Sequence, residues 1–148
     1  MEQTLIVSEI MPNPKGKDSG NEWIEITNIS DKEINLENFK LDDGENGSKP
    51  YSIPKIILQG KTSIVFRQPT TKINLNNSND EARLIKSNGE IADSIKYTTT
   101  KDGQSISKIE LKTQKSSKWT IMATTSSEGL PSKPMYIITG EIIRKISD

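Results

Sequence analysis

Glu22-Trp23-Ile24-Glu25-Ile26-Thr27-Asn28 is the stretch on which the fold turns. Successive side chains of a strand point to opposite faces, so Ile24 and Ile26 share one side and Trp23, Glu25 and Thr27 the other. Ile24 and Ile26 are therefore expected in a core. Just upstream, Ile6-Val7-Ser8-Glu9-Ile10-Met11-Pro12-Asn13-Pro14 reads as a first strand over residues 4–10, stopped by its two prolines. Its expected faces are Ile6, Ser8 and Ile10 on one side, and Leu5, Val7 and Glu9 on the other. A polar loop, residues 15–21, carries Gly16 and Gly20 and joins the two strands.

Downstream, the same kind of segment recurs. Residues 33–36 read as a short strand with Ile34 and Leu36 inward, Phe39 and Leu41 mark another, and residues 51–53 a third, closed by Pro54. Gln59-Gly60-Lys61 suggests a hairpin between residues 56–58 and 63–66. Residues 74–80 are a turn cluster by composition. Asn88-Gly89 predicts a type I′ hairpin joining Leu84-Ile85 to residues 91–97. Lys101-Asp102-Gly103 turns again, residues 105–111 alternate with Ile106, Lys108 and Glu110 on one face, and residues 118–122 form a further strand with Trp119. No window supports a helical period, and turn residues recur about every 8–12 positions, the pattern of an all-β sandwich or barrel.

A length of 148 residues fits one core. The expected organisation is a β-sandwich over residues 4–123, a Thr/Ser/Gly/Pro linker over 124–134, and at 135–148 either a terminal strand that pairs back or the start of a following domain. Lys plus Arg and Asp plus Glu both total 20, so the sum calls for no polyanionic partner. The distribution is uneven: residues 1–50 carry 11 acidic and 5 basic side chains, residues 51–148 carry 9 and 15. The chain has no cysteine and no histidine, which excludes disulfides, thiolate or imidazole metal sites, and Ser-His-Asp or Cys-His catalysis. No serine sits in a Gly-x-Ser-x-Gly turn. No stretch approaches the roughly 18–20 apolar residues of a membrane-spanning helix.

Five separated blocks, in order, resemble the lamin-tail domain in its bacterial form, an immunoglobulin-like β-sandwich. They are Val7-Ser8-Glu9-Ile10-Met11-Pro12-Asn13-Pro14, Glu22 to Asn28 as quoted above, Ile34-Asn35-Leu36-Glu37-Asn38-Phe39-Lys40-Leu41-Asp42-Asp43, Ile73-Asn74-Leu75-Asn76-Asn77-Ser78-Asn79-Asp80 and Ile91-Ala92-Asp93-Ser94-Ile95-Lys96-Tyr97. The resemblance spans residues 4–130. Phe39 stands where the family usually has Trp, and the exit after Trp119 keeps Gly129 but lacks the usual proline. Gly140-Glu141-Ile142-Ile143 resembles the opening of an OB-type strand. The resemblance implies an accessory module of exported bacterial proteins, found beside nucleases, phosphatases and other surface proteins.

Candidate chemistry is sparse. An outward Trp23 beside Glu25 would stack on a sugar or a base; alternatively Trp23 is covered by the 15–21 loop or an edge strand. Asp42-Asp43-Gly44-Glu45-Asn46-Gly47, joined by Asp18, offers oxygen ligands of the kind Ca²⁺ prefers, although the EF-hand spacing is not met and a plain acidic turn explains the same residues. Lys101, Lys108, Lys112, Lys115 and Lys118 form either a phosphate-binding stripe, as nuclear members of the resembled family imply, or a lysine-guarded sheet edge. Trp23, Glu25, Lys108, Lys112 and Lys115 are the candidate surface contacts. The expectation is a monomeric, non-catalytic domain without cofactor, extracellular or at the cell surface, whose partners are neighbouring domains of its parent or a surface protein. A nucleic-acid-binding module is the alternative.

Overall fold

The computed structural model describes residues 3–112, 117–125, 135–138 and 141–144, with side chains over residues 3–108. The elements run β1 (Leu5–Asn13), β2 (Trp23–Asn28), β3 (Ile34–Asn35), β4 (Lys40–Asp42), β5 (Tyr51–Ser52), β6 (Ile57–Leu58), β7 (Ser63–Arg67), α1 (Gln68–Thr71), β8 (Ser78–Ile85), β9 (Ile91–Thr99), β10 (Gln104–Lys112), β11 (Ser117–Thr125), β12 (Met135–Ile138) and β13 (Glu141–Arg144). One sheet has the order β13-β12-β10-β1-β2-β7, with β11 also paired to β10; a second has the order β5-β4-β8-β9; β3 and β6 form a two-stranded ribbon. Every pairing is antiparallel except β10 with β12. Among the described residues no helix is long and apolar enough to cross a membrane.

The two main sheets enclose one core. Val7, Ile10, Ile24 and Ile26 from the first sheet meet Leu41, Ala82, Leu84 and Ile95 from the second, and Leu36, Ile53, Leu58, Ile73 and Leu75 seal its margins. This is the sandwich that the alternating segments predict, with inward-facing residues of both sheets interdigitating.

The first strand departs from strict alternation. Its register with β2 shifts between Val7 and Glu9, so Ser8 is the extra residue of a bulge. Leu5, Val7 and Ile10 therefore belong to the core, whereas Ile6 and Glu9 do not; the expected grouping of Ile6 with Ile10 is corrected by that one inserted residue. Nor does Pro12 end the strand. The β1–β10 register shifts again between Ile10 and Asn13, and such an irregularity tolerates a residue with no N–H.

Two turn assignments change as well. Residues around Gln59-Gly60-Lys61 do not join a hairpin, because β6 pairs with β3 and β7 pairs with β2. Gly60 is needed for close approach: a Cβ there would lie 2.5 Å from the Asp31 carbonyl carbon. The β8–β9 hairpin is present, with Ile85 opposite Ile91. Of its Asn-Gly pair, however, only Gly89 has positive φ, at 88°, and its N–H donates to Lys86 O at 3.0 Å. A type I′ turn needs positive φ at both central residues, so a longer turn ending on a left-handed Gly replaces the two-residue turn expected.

Candidate functional site

Trp23, Glu25 and Lys108 lie on described strands, and burial decides what they can do. Trp23 lies on the face of β2 opposite Ile24 and Ile26 and is 1% exposed. Glu25, on the same face, is 6% exposed. Neither is an outward contact surface, which corrects that expectation for both residues. The polar groups of this face satisfy one another. Ser8 Oγ donates to Glu25 Oε1 at 2.5 Å, Thr27 Oγ1 donates to Ser8 Oγ at 2.6 Å, and Thr27 and Ser63 hydroxyls lie 2.7 Å apart. The bulge at Ser8 turns its hydroxyl onto this face, completing a chain of hydroxyls from exposed Ser63 to a buried carboxyl. Burial pushes the Glu25 carboxyl up to about 7; the Ser8 and Thr27 hydrogen bonds oppose this, and the negative charge of Glu9 reinforces it.

Lys108 is not part of a surface stripe either. Its side chain is 7% exposed, and its Nζ lies 2.5 Å from Asp93 Oδ1, itself on a side chain 11% exposed. The second carboxylate oxygen, Oδ2, accepts the Val7 backbone N–H at 2.7 Å. Asp93 comes from β9 in the second sheet, while Val7 and Lys108 belong to β1 and β10 in the first. The β1–β10 ladder ends at Glu9 opposite Ser107, and β12 joins β10 only from Glu110. Asp93 supplies an acceptor where the ladder stops. Burial pushes the Lys108 ammonium below the ordinary lysine range, and the bond to Asp93 works against that shift. Lys115 and the Lys112 side chain lie outside the described residues.

The remaining polar concentration is an acidic end of the sandwich. A cleft of about 560 Å³ is lined by Asp43, Glu45, Asp80, Glu81, Lys96 and Tyr97, among others. Glu22 lies close enough to Asp18, Asp43 and Asp80 to feel their charges. Burial pushes the Glu22 carboxyl up to about 7; a bond from the Leu75 N–H lowers it, and the three neighbouring carboxylates raise it. Tyr97 Oη donates to Asn76 O at 2.6 Å, and burial together with Asp80, Glu22 and Asp43 pushes its phenol well above the usual range. Two of the carboxylates considered for Ca²⁺ have partners within the fold. Asp42 is paired with Arg83, and Asp43 accepts the Ser48 N–H at 2.6 Å and the Ser48 hydroxyl at 2.7 Å. Among the described residues no group of three acidic side chains is arranged to hold a metal ion. Chemically, this end offers acceptors and negative charge, and its one phenol is engaged with Asn76.

Glu22, Asp93 and Tyr97 were not singled out by sequence reasoning. A signal for Asp93 existed: Asp93, Ile95 and Tyr97 alternate onto one face, so a lone carboxylate heads an apolar row. Lys108 follows Ile106 by two residues on the next strand. The Lys108 face is mixed, with Glu110 two residues further on, so only the Asp93 side of the pair carried a signal in the sequence.

No curated protein matches the chain. The family model of the Lamin Tail Domain matches residues 2–99, a span that includes β1 through β9 and carries both the Glu22 to Asn28 strand and Asp93. With that match over most of its length and an immunoglobulin-like sandwich as its fold, the chain belongs to the Lamin Tail Domain family.

Proposed function

We propose that this chain is a non-catalytic accessory domain that attaches or positions its neighbours within a larger, exported bacterial protein, at the cell surface or outside the cell. Membership in a family of immunoglobulin-like modules supports this reading. The observation that carries it is the use of the ionisable groups: Asp42, Asp93, Arg83 and Lys108 are bonded within the fold, and Glu25 is sealed from solvent. Groups committed in this way hold strands together and are not open to a substrate. The domain acts as a monomer through its loops and exposed edges.

The test removes this domain from its parent. Turnover by the neighbouring domain is expected to persist while surface attachment is lost, and the isolated chain is expected to show no hydrolysis of nucleic acid or ester substrates. Turnover by the isolated chain overturns the reading. The rival is nucleic-acid binding through the lysine-rich strands, from which Lys108 is now withdrawn by its pairing with Asp93. Low-salt retention on DNA that is lost in Lys112→Glu and Lys115→Glu variants would put the rival in its place.

A further inference from the structure

We infer that Lys108 and Asp93 form a site of intramolecular amide cross-linking, in which the Lys108 amine condenses with the Asp93 side-chain carboxyl and ties the two sheets covalently. Three features of the site carry this. The reacting groups are held together: Nζ is 2.5 Å from Oδ1, between strands fixed in different sheets, which removes the entropic cost of bringing an amine to a carboxyl. They are also enclosed, because Val7, Ile95 and Ile106 are core residues and lie beside them or two positions along the same strand faces. Finally, the oxygen remote from the amine is held, since Oδ2 accepts the Val7 N–H at 2.7 Å.

Each of these features has a place in the reaction. Burial disfavours the Lys108 ammonium, and passing one of its protons to Oδ1 across the contact frees the Nζ lone pair beside the Asp93 carboxyl. The Nζ lone pair then attacks Cγ, and negative charge develops on Oδ2, where the Val7 N–H already points as an oxyanion donor. On collapse the Cγ–Oδ1 bond breaks. Oδ1 leaves as water, carrying the proton it received and a second one lost from Nζ, and an amide Nζ–Cγ bond remains. No oxidant or co-reactant is consumed. The enclosing core keeps water from reversing the step. The bond would join β9 to β10 and resist their separation under load.

Intact-mass measurement of the purified full chain, unfolded just before analysis, tests this directly. The expected mass is lower than that of the sequence by one water, and proteolysis is expected to yield a branched peptide joining Asp93 to Lys108. The Lys108→Met variant, which keeps the apolar stem, is expected to show the full sequence mass. Full mass in the unaltered chain after prolonged incubation at neutral pH overturns the inference without recourse to any variant. So does a water deficit that persists in Lys108→Met, because that result places the loss elsewhere, as in cyclisation of an aspartate such as Asp102, which precedes Gly103, onto its own backbone.

Discussion

The two faces of β2 are both buried, and they are buried for different reasons. Ile24 and Ile26 enter a core of aliphatic side chains in which contact with the second sheet supplies the stabilisation. Trp23, Glu25 and Thr27 lie on the reverse face, where a large indole sits beside a carboxyl and a run of hydroxyls. Each polar atom moved out of water there needs a partner, and Ser8, Thr27 and Ser63 supply partners to one another and to Glu25. The first face is held by volume and shape. The second adds hydrogen-bond geometry and a titratable proton, so the two respond to different perturbations.

Truncation tests the shared burial first. Trp23→Ala is expected to cost about 3–5 kcal/mol and Ile26→Ala about 2–5 kcal/mol in urea unfolding, since both side chains are almost fully enclosed. A Trp23→Ala cost below 1 kcal/mol would show the reverse face to be only loosely packed. A smaller effect, of opposite kind on the two faces, comes from pH. The fold favours the protonated Glu25 because burial raises it from 4.5 to about 7. Its contribution is complete below the unfolded value and lost as pH rises through 7, by up to about 3 kcal/mol. The protein is therefore expected to be more stable at pH 5 than at pH 8, and Glu25→Gln to narrow that gap. Ile24→Val, on the other face, is expected to lower stability equally at both values. An unchanged pH gap in Glu25→Gln would assign the dependence elsewhere, with Glu22 the next group to replace.

Breaking the hydroxyl chain gives a finer separation. Thr27→Val preserves shape and leaves the Ser8 and Ser63 hydroxyls each short of one partner, at an expected cost of about 1–2 kcal/mol. Ser63→Ala, at the exposed end where water can substitute, is expected to cost under about 1 kcal/mol. Equal costs would mean that the chain does not differ in strength from its buried to its exposed end.

Much of this architecture was legible from local pattern. Period-two alternation located β2 and β10, and it correctly set Ile24 and Ile26 against Trp23 and Glu25, while the Asn88-Gly89 pair located the β8–β9 hairpin. It could not say whether the second face was wet, because Trp and Glu alternate in the same way on a solvated face and on a covered one. Bulges were invisible for a related reason. One extra residue at Ser8 reverses the faces of everything after it, and only the partner strand reveals the insertion. The segment around Gly60 has hairpin composition, yet its flanking strands go to different partners, and Gly60 instead packs closely on the Asp31 backbone. The lysine stripe failed at Lys108 because charge on a sequence carries no depth.

By itself the sequence determined the class of fold, the Ile24–Ile26 face of its central strand, and the kinds of chemistry denied to a chain without histidine or cysteine. Side-chain period and residue inventory are local properties, readable without a partner. The tertiary structure alone decided that Trp23 and Glu25 are enclosed, that Ser8 reaches Glu25, and that Asp93 meets both Lys108 and Val7. Those outcomes depend on which strands lie beside or across from one another. Residues 15 positions apart, or 86, become neighbours only when two sheets close over one core.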